Sequence, residues 1–262
     1  MKKFLTMFLL ALVAFGSSAE TITIAGSTSV APLVEEIANE YEAKNKNTKI
    51  VVNATGSSAG VKAVLDGTAQ IGMVSRELTS EEKAKDIKAI SIANDGIAVV
   101  VHPSNQVKDL TIEQVAQIFT GKITNWREVG GKDSKIIVVL RDAASGTRGA
   151  FEELVHKGKR AVETALVSPT TGTVRTTIAT TPSAIGYISL GALDKSVKAV
   201  TINSVEANEK TILAGTYKIA RPLALITKGE IKGSLQQFIE FCLGDIGQEI
   251  ASMDFIPVNK GQ

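Results

Sequence analysis

The chain has 262 residues, 44% of them hydrophobic, and its 29 Lys and Arg stand against 27 Asp and Glu for a formal charge of +2. That length and apolar content can bury one large core or two ordinary ones. The near-balance of charge argues against a nucleic-acid binder held by a broad basic surface, so an anionic ligand has to be met locally.

In chain order, Lys2 and Lys3 precede the apolar run Phe4 to Phe15, and Ser17-Ser18-Ala19 offers the small residues that a signal peptidase reads. The expectation is export with cleavage after Ala19, residues 1–19 being a signal peptide. No second apolar segment of membrane-spanning length follows, and no cysteine near the cleavage point suggests lipidation. The single cysteine, Cys242, lies in an apolar helical run and is expected to be a buried thiol.

Thr21 to Ala25 alternates like a strand. Gly26-Ser27-Thr28-Ser29 then leads into a helix over Val30 to Lys44, with Leu33, Val34, Ile37, Ala38 and Tyr41 on its inner face. The pattern returns at once: Lys49 to Asn53 reads as a strand, Thr55 to Gly60 as a small-residue turn, and Val61 to Leu65 as a short helix. Ile71 to Val74 is a buried-type strand ending at Ser75-Arg76-Glu77, and Thr79 to Lys85 a solvated helix. Ile87 to Ala93 comes next, then Asn94-Asp95-Gly96, then the strongly apolar Ile97 to Val101 closed by His102-Pro103. His102, followed by Pro103, has no His or Cys partner at ligand spacing and is taken as a loop residue.

Thr111 to Gln114 offers a capping box for a helix carrying Val115, Ile118 and Phe119 inward, and Trp126 beyond it is expected to be a packing anchor. Ile136 to Leu140 is an apolar strand. It delivers Arg141-Asp142-Ala143-Ala144-Ser145-Gly146-Thr147-Arg148 to the start of a helix over Ala150 to His156. A helix start presents unbonded N–H groups and the positive end of the dipole, and small residues there let an anion come close. Ser145, Gly146 and Thr147 supply donors, and Arg141 a planar fork suited to tetrahedral oxyanions. The plain alternative for this stretch is an ordinary N-cap with two solvated arginines. Ala184 to Ser189, Val197 to Ile202 and Tyr217 to Thr227 are further strands, and helices over Leu235 to Leu243 and Ile246 to Met253 close the chain. Alternating strands and helices indicate an α/β fold with central sheets. With no low-complexity linker, two domains must be joined by ordinary strands, near Val100 to Pro103 and Ala220 to Ala224.

Five motifs follow one another in a recognisable order: Ala25-Gly26-Ser27-Thr28-Ser29-Val30-Ala31-Pro32, Gly56 to Val61, Ile71-Gly72-Met73-Val74-Ser75-Arg76-Glu77, Arg141 to Thr147, and Ala184-Ile185-Gly186-Tyr187. In this the chain resembles the periplasmic phosphate-binding proteins of the phosphate-specific (Pst) ABC importer, over essentially its whole mature length. The resemblance implies a type II periplasmic binding protein fold, two α/β lobes with central mixed sheets joined by a two-strand hinge. One lobe would comprise 20–101 plus 222–262, the other 102–221. It further implies a periplasmic, monomeric protein without cofactor or metal. Such a protein captures inorganic phosphate between its lobes and delivers it to an ABC permease of the inner membrane. Carried over by motif, Thr28, Ser29 and Ser57 donate from one lobe, and Arg141, Ser145, Gly146 and Thr147 from the other. Arg76 stands where the best-known members have an aspartate that accepts the ligand's proton, and a guanidinium has donors only. Asp95 and Asp142 are the candidates for that acceptor.

Three rivals stay open at this point. One is a receptor for another tetrahedral oxyanion such as sulfate, tungstate or molybdate, and another is a phosphate-sensing or adhesion protein on the same fold. The third is a hydrolase built on Ser145, His156 and Asp142, which lacks a Gly-x-Ser-x-Gly elbow.

Overall fold

The computed structural model describes residues 20–259. The apolar leader and the cleavage expected after Ala19 lie outside them. Strand β1 (Glu20–Gly26) hands the chain to α1 (Ala31–Lys44), and β2 (Thr48–Ala54), α2 (Ser57–Leu65) and β3 (Ile71–Val74) repeat the unit. The short α3 (Ser80–Lys83) precedes the long β4 (Ile87–Val101). Next come β5 (Asp109–Leu110), α4 (Ile112–Phe119), β6 (Ile137–Arg141), α5 (Gly146–His156), β7 (Leu166–Ser168), α6 (Thr171–Thr180) and β8 (Ala184–Ser189). The small elements β9 (Lys198–Ala199), β10 (Thr201–Ile202) and α7 (Glu209–Leu213) lead to β11 (Ala220–Lys228), and α8 (Gly233–Leu243), α9 (Asp245–Asp254) and β12 (Ile256–Pro257) end the fold.

The principal strands run in the order β2-β1-β3-β11-β4-β8-β6-β7. Parallel pairs β1/β2, β1/β3, β6/β7 and β6/β8 flank the antiparallel pairs that β4 makes with β11 and β8. Strand β4 therefore serves two sheets: Ile87 to Gly96 pairs with β11, and Ile97 to Val101 pairs with β8.

Two sizeable hydrophobic cores follow from this sharing. One is assembled from residues 97 to 219, around Phe119, Trp126, Phe151, Val174 and Tyr187. The other joins Ile22, Ile24, Val34, Ile37, Met73 and Ile92 to Leu223, Leu225 and Phe238, with a smaller cluster of Val61, Val64, Val74 and Ile226 across the sheet. The chain changes cores twice, between Ala93 and Ile97 on β4 and between Ile219 and Leu223 at the start of β11. Trp126 packs in the first core with its indole N–H donated to the Ser183 carbonyl at 2.9 Å, and Cys242 is buried in the second. Thr111 and Gln114 form the expected capping box.

Asn94-Asp95-Gly96, set between two apolar runs in the sequence, does not part them. These residues run straight within β4, opposite Pro222, Arg221 and Ala220 of β11. Asp95 holds the strand there. Its carboxylate takes Arg221 Nη2 at 2.8 Å and Nε at 3.1 Å, and it accepts Ser189 Oγ at 2.8 Å and the Leu190 amide at 3.1 Å. A buried, fully bonded ion pair overrides the local preference of an Asn-Asp-Gly run for turning.

Candidate functional site

Three strand-to-helix junctions meet between the two cores. The Gly26 to Ser29 segment enters α1, Gly56 precedes α2, and the Arg141 to Ser145 turn opens α5. In each, small residues lead the chain from the strand into the helix, so the backbone arrives at the helix opening with little side-chain bulk in the way.

Arg141 ends β6 only 1% exposed. Its Nη2 donates to Thr28 Oγ1 at 3.0 Å, across to the other core, and to the Pro169 carbonyl at 2.9 Å, while Nη1 donates to Thr171 Oγ1 at 3.1 Å. The Arg141 Nε is buried without a partner. An arginine so deeply placed, with a donor to spare, is costly unless negative charge compensates it. Burial pushes its guanidinium below the ordinary value, and the neighbouring Asp142 works in the opposite direction. The ring of Tyr187, stacked on Phe151 with centroids 4.0 Å apart, brings its hydroxyl to the Arg141 amide at 3.3 Å and so fixes the end of the strand.

Hydroxyls close the rest of the site. Ser29 Oγ lies 3.0 Å from both Thr147 Oγ1 and Thr171 Oγ1. Ser27 Oγ donates to Ser75 Oγ at 2.9 Å, and Ser57 Oγ accepts the Ser75 amide at 3.2 Å. Helix α5 comes up against this cluster at Gly146, where a Cβ would stand 2.2 Å from Ser57 Oγ and 2.8 Å from Ser75 Oγ. Ser145 caps α5 by accepting the Arg148 amide at 3.2 Å, and the Ser58 amide of α2 donates to the Ala144 carbonyl at 3.0 Å. Thr28, Ser29, Ser57, Arg141, Gly146 and Thr147 are thus drawn to one place by direct contact, with Ser145 at the head of the same helix.

The remaining candidates are engaged elsewhere. Arg76 is paired with Glu82, Asp95 with Arg221, and Asp142 Oδ1 accepts the Ala144 amide at 2.9 Å within its own turn. Arg148 also turns away, binding Glu152 at 2.7 Å and the Arg141 carbonyl at 3.0 Å. His156 lies buried in the last turn of α5, at the opposite end of the helix from Ser145, so it forms no relay to it. Among the described residues no cluster of three His, Cys, Asp or Glu side chains could hold a metal ion.

Three residues of the cluster escaped the sequence reading: Ser27, Ser75 and Thr171. Ser27 and Ser75 lie inside the first and third of the five motifs, and their strand-end positions were the available signal. Thr171 was harder to find, because α6 is threonine-rich and shows little apolar periodicity. Its one clue was the box in which Thr170 accepts the Thr173 amide at 3.1 Å.

Two α/β units sharing crossover strands, with helix openings and a buried arginine facing one another between them, define a solute-binding protein of type II fold. A family model described as PBP superfamily domain matches residues 14–245. Phosphate-binding protein PstS of Bacillus subtilis is 36% identical over 244 residues, covering 91% of this chain and 81% of that protein. The PstS of Borreliella burgdorferi is 32% identical over 241 residues, covering 87% and 86%. Among solved structures, a phosphate ABC transporter substrate-binding protein from Clostridium perfringens with bound phosphate aligns with a TM-score of 0.89 at 42% identity, over 92% of this chain and all (100%) of that one. An ABC-type phosphate transport receptor from Vibrio cholerae gives 0.77 at 36% identity, over 91% and 100%. The chain belongs to the PstS family of phosphate-binding proteins.

Proposed function

We propose that this protein captures inorganic phosphate between its two units and hands it to an ABC importer, without chemistry of its own. The observation that carries the reading is Arg141, buried at a strand end and reaching Thr28 of the opposite unit while the openings of α1, α2 and α5 gather around it. A divalent anion loses its hydration on entering such a place and needs many preorganised donors in return. Thr28, Ser29, Ser57, Ser145, Gly146 and Thr147 provide hydroxyls and first-turn amides, and Arg141 provides charge. Ser27, Ser75 and Thr171 brace them. In this reading the units are lobes, β4 and β11 the hinge, and binding is closure about it.

Arg141→Ala is expected to weaken phosphate binding at least about 100-fold in calorimetric titration, because charge-assisted bonds contribute about 1.5–3 kcal/mol each. Lys122→Ala is the control, expected to bind as the parent does. Equal affinities for the two variants remove the assignment.

The export expectation completes the reading: a cleaved leader places the protein outside the cytoplasmic membrane, where an inner-membrane permease meets it as a monomer. Peptide sequencing of the mature N-terminus tests this, with Glu20 expected first. Sulfate, tungstate and molybdate competition at several pH values tests the ligand, phosphate being expected to hold its place against each.

A further inference from the structure

Arg76 carries an unusual set of commitments. Its Nη1 donates to Glu82 Oε2 at 2.7 Å and to the Glu77 carbonyl at 2.9 Å, and its Nη2 to Glu82 Oε1 at 2.8 Å and Ser58 Oγ at 3.3 Å. Each Nη carries two hydrogens, so all four are assigned and none of them remains for an anion. Glu82 is fixed in turn, accepting the Thr79 amide at 2.9 Å in the capping box of α3. The side chains of the pair are only 12% and 14% exposed.

What the fork gives up in donors, the stem uses in packing. It runs across to α5, where a Cβ on Gly149 would stand 3.1 Å from Arg76 Cδ and 3.8 Å from Nε. Glycine inside a helix is unfavourable relative to alanine, and here it opens a flat place on α5 that the arginine stem covers. Beside it the Ser58 amide reaches the Ala144 carbonyl, so one strip of contact joins the loop after β3 and the start of α2 to the start of α5.

We propose that Arg76, locked by Glu82, is a closure clasp: its stem seats on the bare face of Gly149 and holds the two units together over the bound anion. It is a positioning residue and makes no bond to the ligand. This rests on the phosphate-capture reading and adds to it what sets the residence time of the ligand.

The test uses mature protein loaded with radiolabelled phosphate and chased with unlabelled phosphate, comparing the parent with Arg76→Ala, Gly149→Leu and the double variant. Leucine is a good helix former, so α5 is retained, and melting of the ligand-free variants checks that both units stay folded. Each single change is expected to speed release about tenfold with association little altered. The double variant, whose leucine fills the space the arginine leaves, is expected to release no faster than either single, the mark of residues in contact. Multiplying effects in the double, or a Gly149→Leu release rate equal to the parent's, overturns the clasp. So does an Arg76→Ala variant that binds slowly with a reduced salt dependence, since that is how a direct anion contact behaves. If the parent itself retains no label, the phosphate reading falls and this proposal with it; label retained with unaltered release sinks the clasp alone.

Discussion

At Gly146 the two units stand as near to each other as atoms permit. Adding one methyl group there puts carbon 2.2 Å from Ser57 Oγ, far inside any allowed contact, and Ser57 is wholly buried and cannot retreat. Gly146→Ala is therefore expected to cut phosphate affinity by about 100-fold or more, while urea unfolding of the ligand-free protein, whose units can part and relieve the contact, shifts by about 1 kcal/mol or less. Binding and unfolding measured on one preparation separate the two effects. The residue scale is also where the sequence was most readable. Arg141, Ser145 and Thr147 follow from a strand delivering small donors and a fork-shaped cation to a helix opening, whereas Thr28 and Ser57 were singled out by the resemblance of their motifs. Asp95 shows the limit: a carboxylate can be picked out by type, but its partner Arg221 lies 126 residues away in sequence, and local pattern holds no record of that meeting.

Strand β4 is the element on which the architecture turns. It has 15 residues and passes from one core into the other without a break. Its midpoint is pinned from both directions, since Asp95 accepts Ser189 and Leu190 on one flank and Arg221 donates to the Ser75 carbonyl at 3.0 Å on the other. Removing one member of such a pair leaves a buried charge without its partner, and Asp95→Ala is expected to destabilise the protein by about 3–5 kcal/mol. Asp95→Ala combined with Arg221→Met is expected to recover most of that loss, measured by urea unfolding. Elements with strong periodicity, such as α1 and α4, were legible to within a few residues. Asn94-Asp95-Gly96 was not, because long-range pairing with β11 outweighs the preference of three residues for a turn. Helix α6 carries little signature of its own in the sequence for a related reason: its hold on the molecule comes from Val174 and Ile178 against β8 and from Thr171 beneath Arg141, contacts with distant segments.

For the molecule as a whole, two cores with one pair of crossings mean that stability and ligand closure draw on different residues. His156 belongs to the first kind. It is 2% exposed at the end of α5, edge-on to Phe151, and burial holds its imidazole below the ordinary value, with Glu152 pulling it the other way. As pH falls below about 6.5 the unfolded chain takes up a proton that the folded one refuses, so stability drops toward the lower folded value. His156→Phe is expected to flatten that part of the profile, read as urea midpoints between pH 7 and pH 5. The alternation of strands and helices announced an α/β molecule at the outset, whereas the way its halves share β4 is a property of topology that no window of sequence contains. Another whole-chain property has a practical side. The sequence holds one cysteine, Cys242, sealed in a core where burial raises its thiol and keeps it unreactive. A second cysteine introduced at the exposed Glu77, beside Arg76, is then the sole target for a maleimide dye, and closure around phosphate is expected to read out as a change in its fluorescence with no native thiol to remove first.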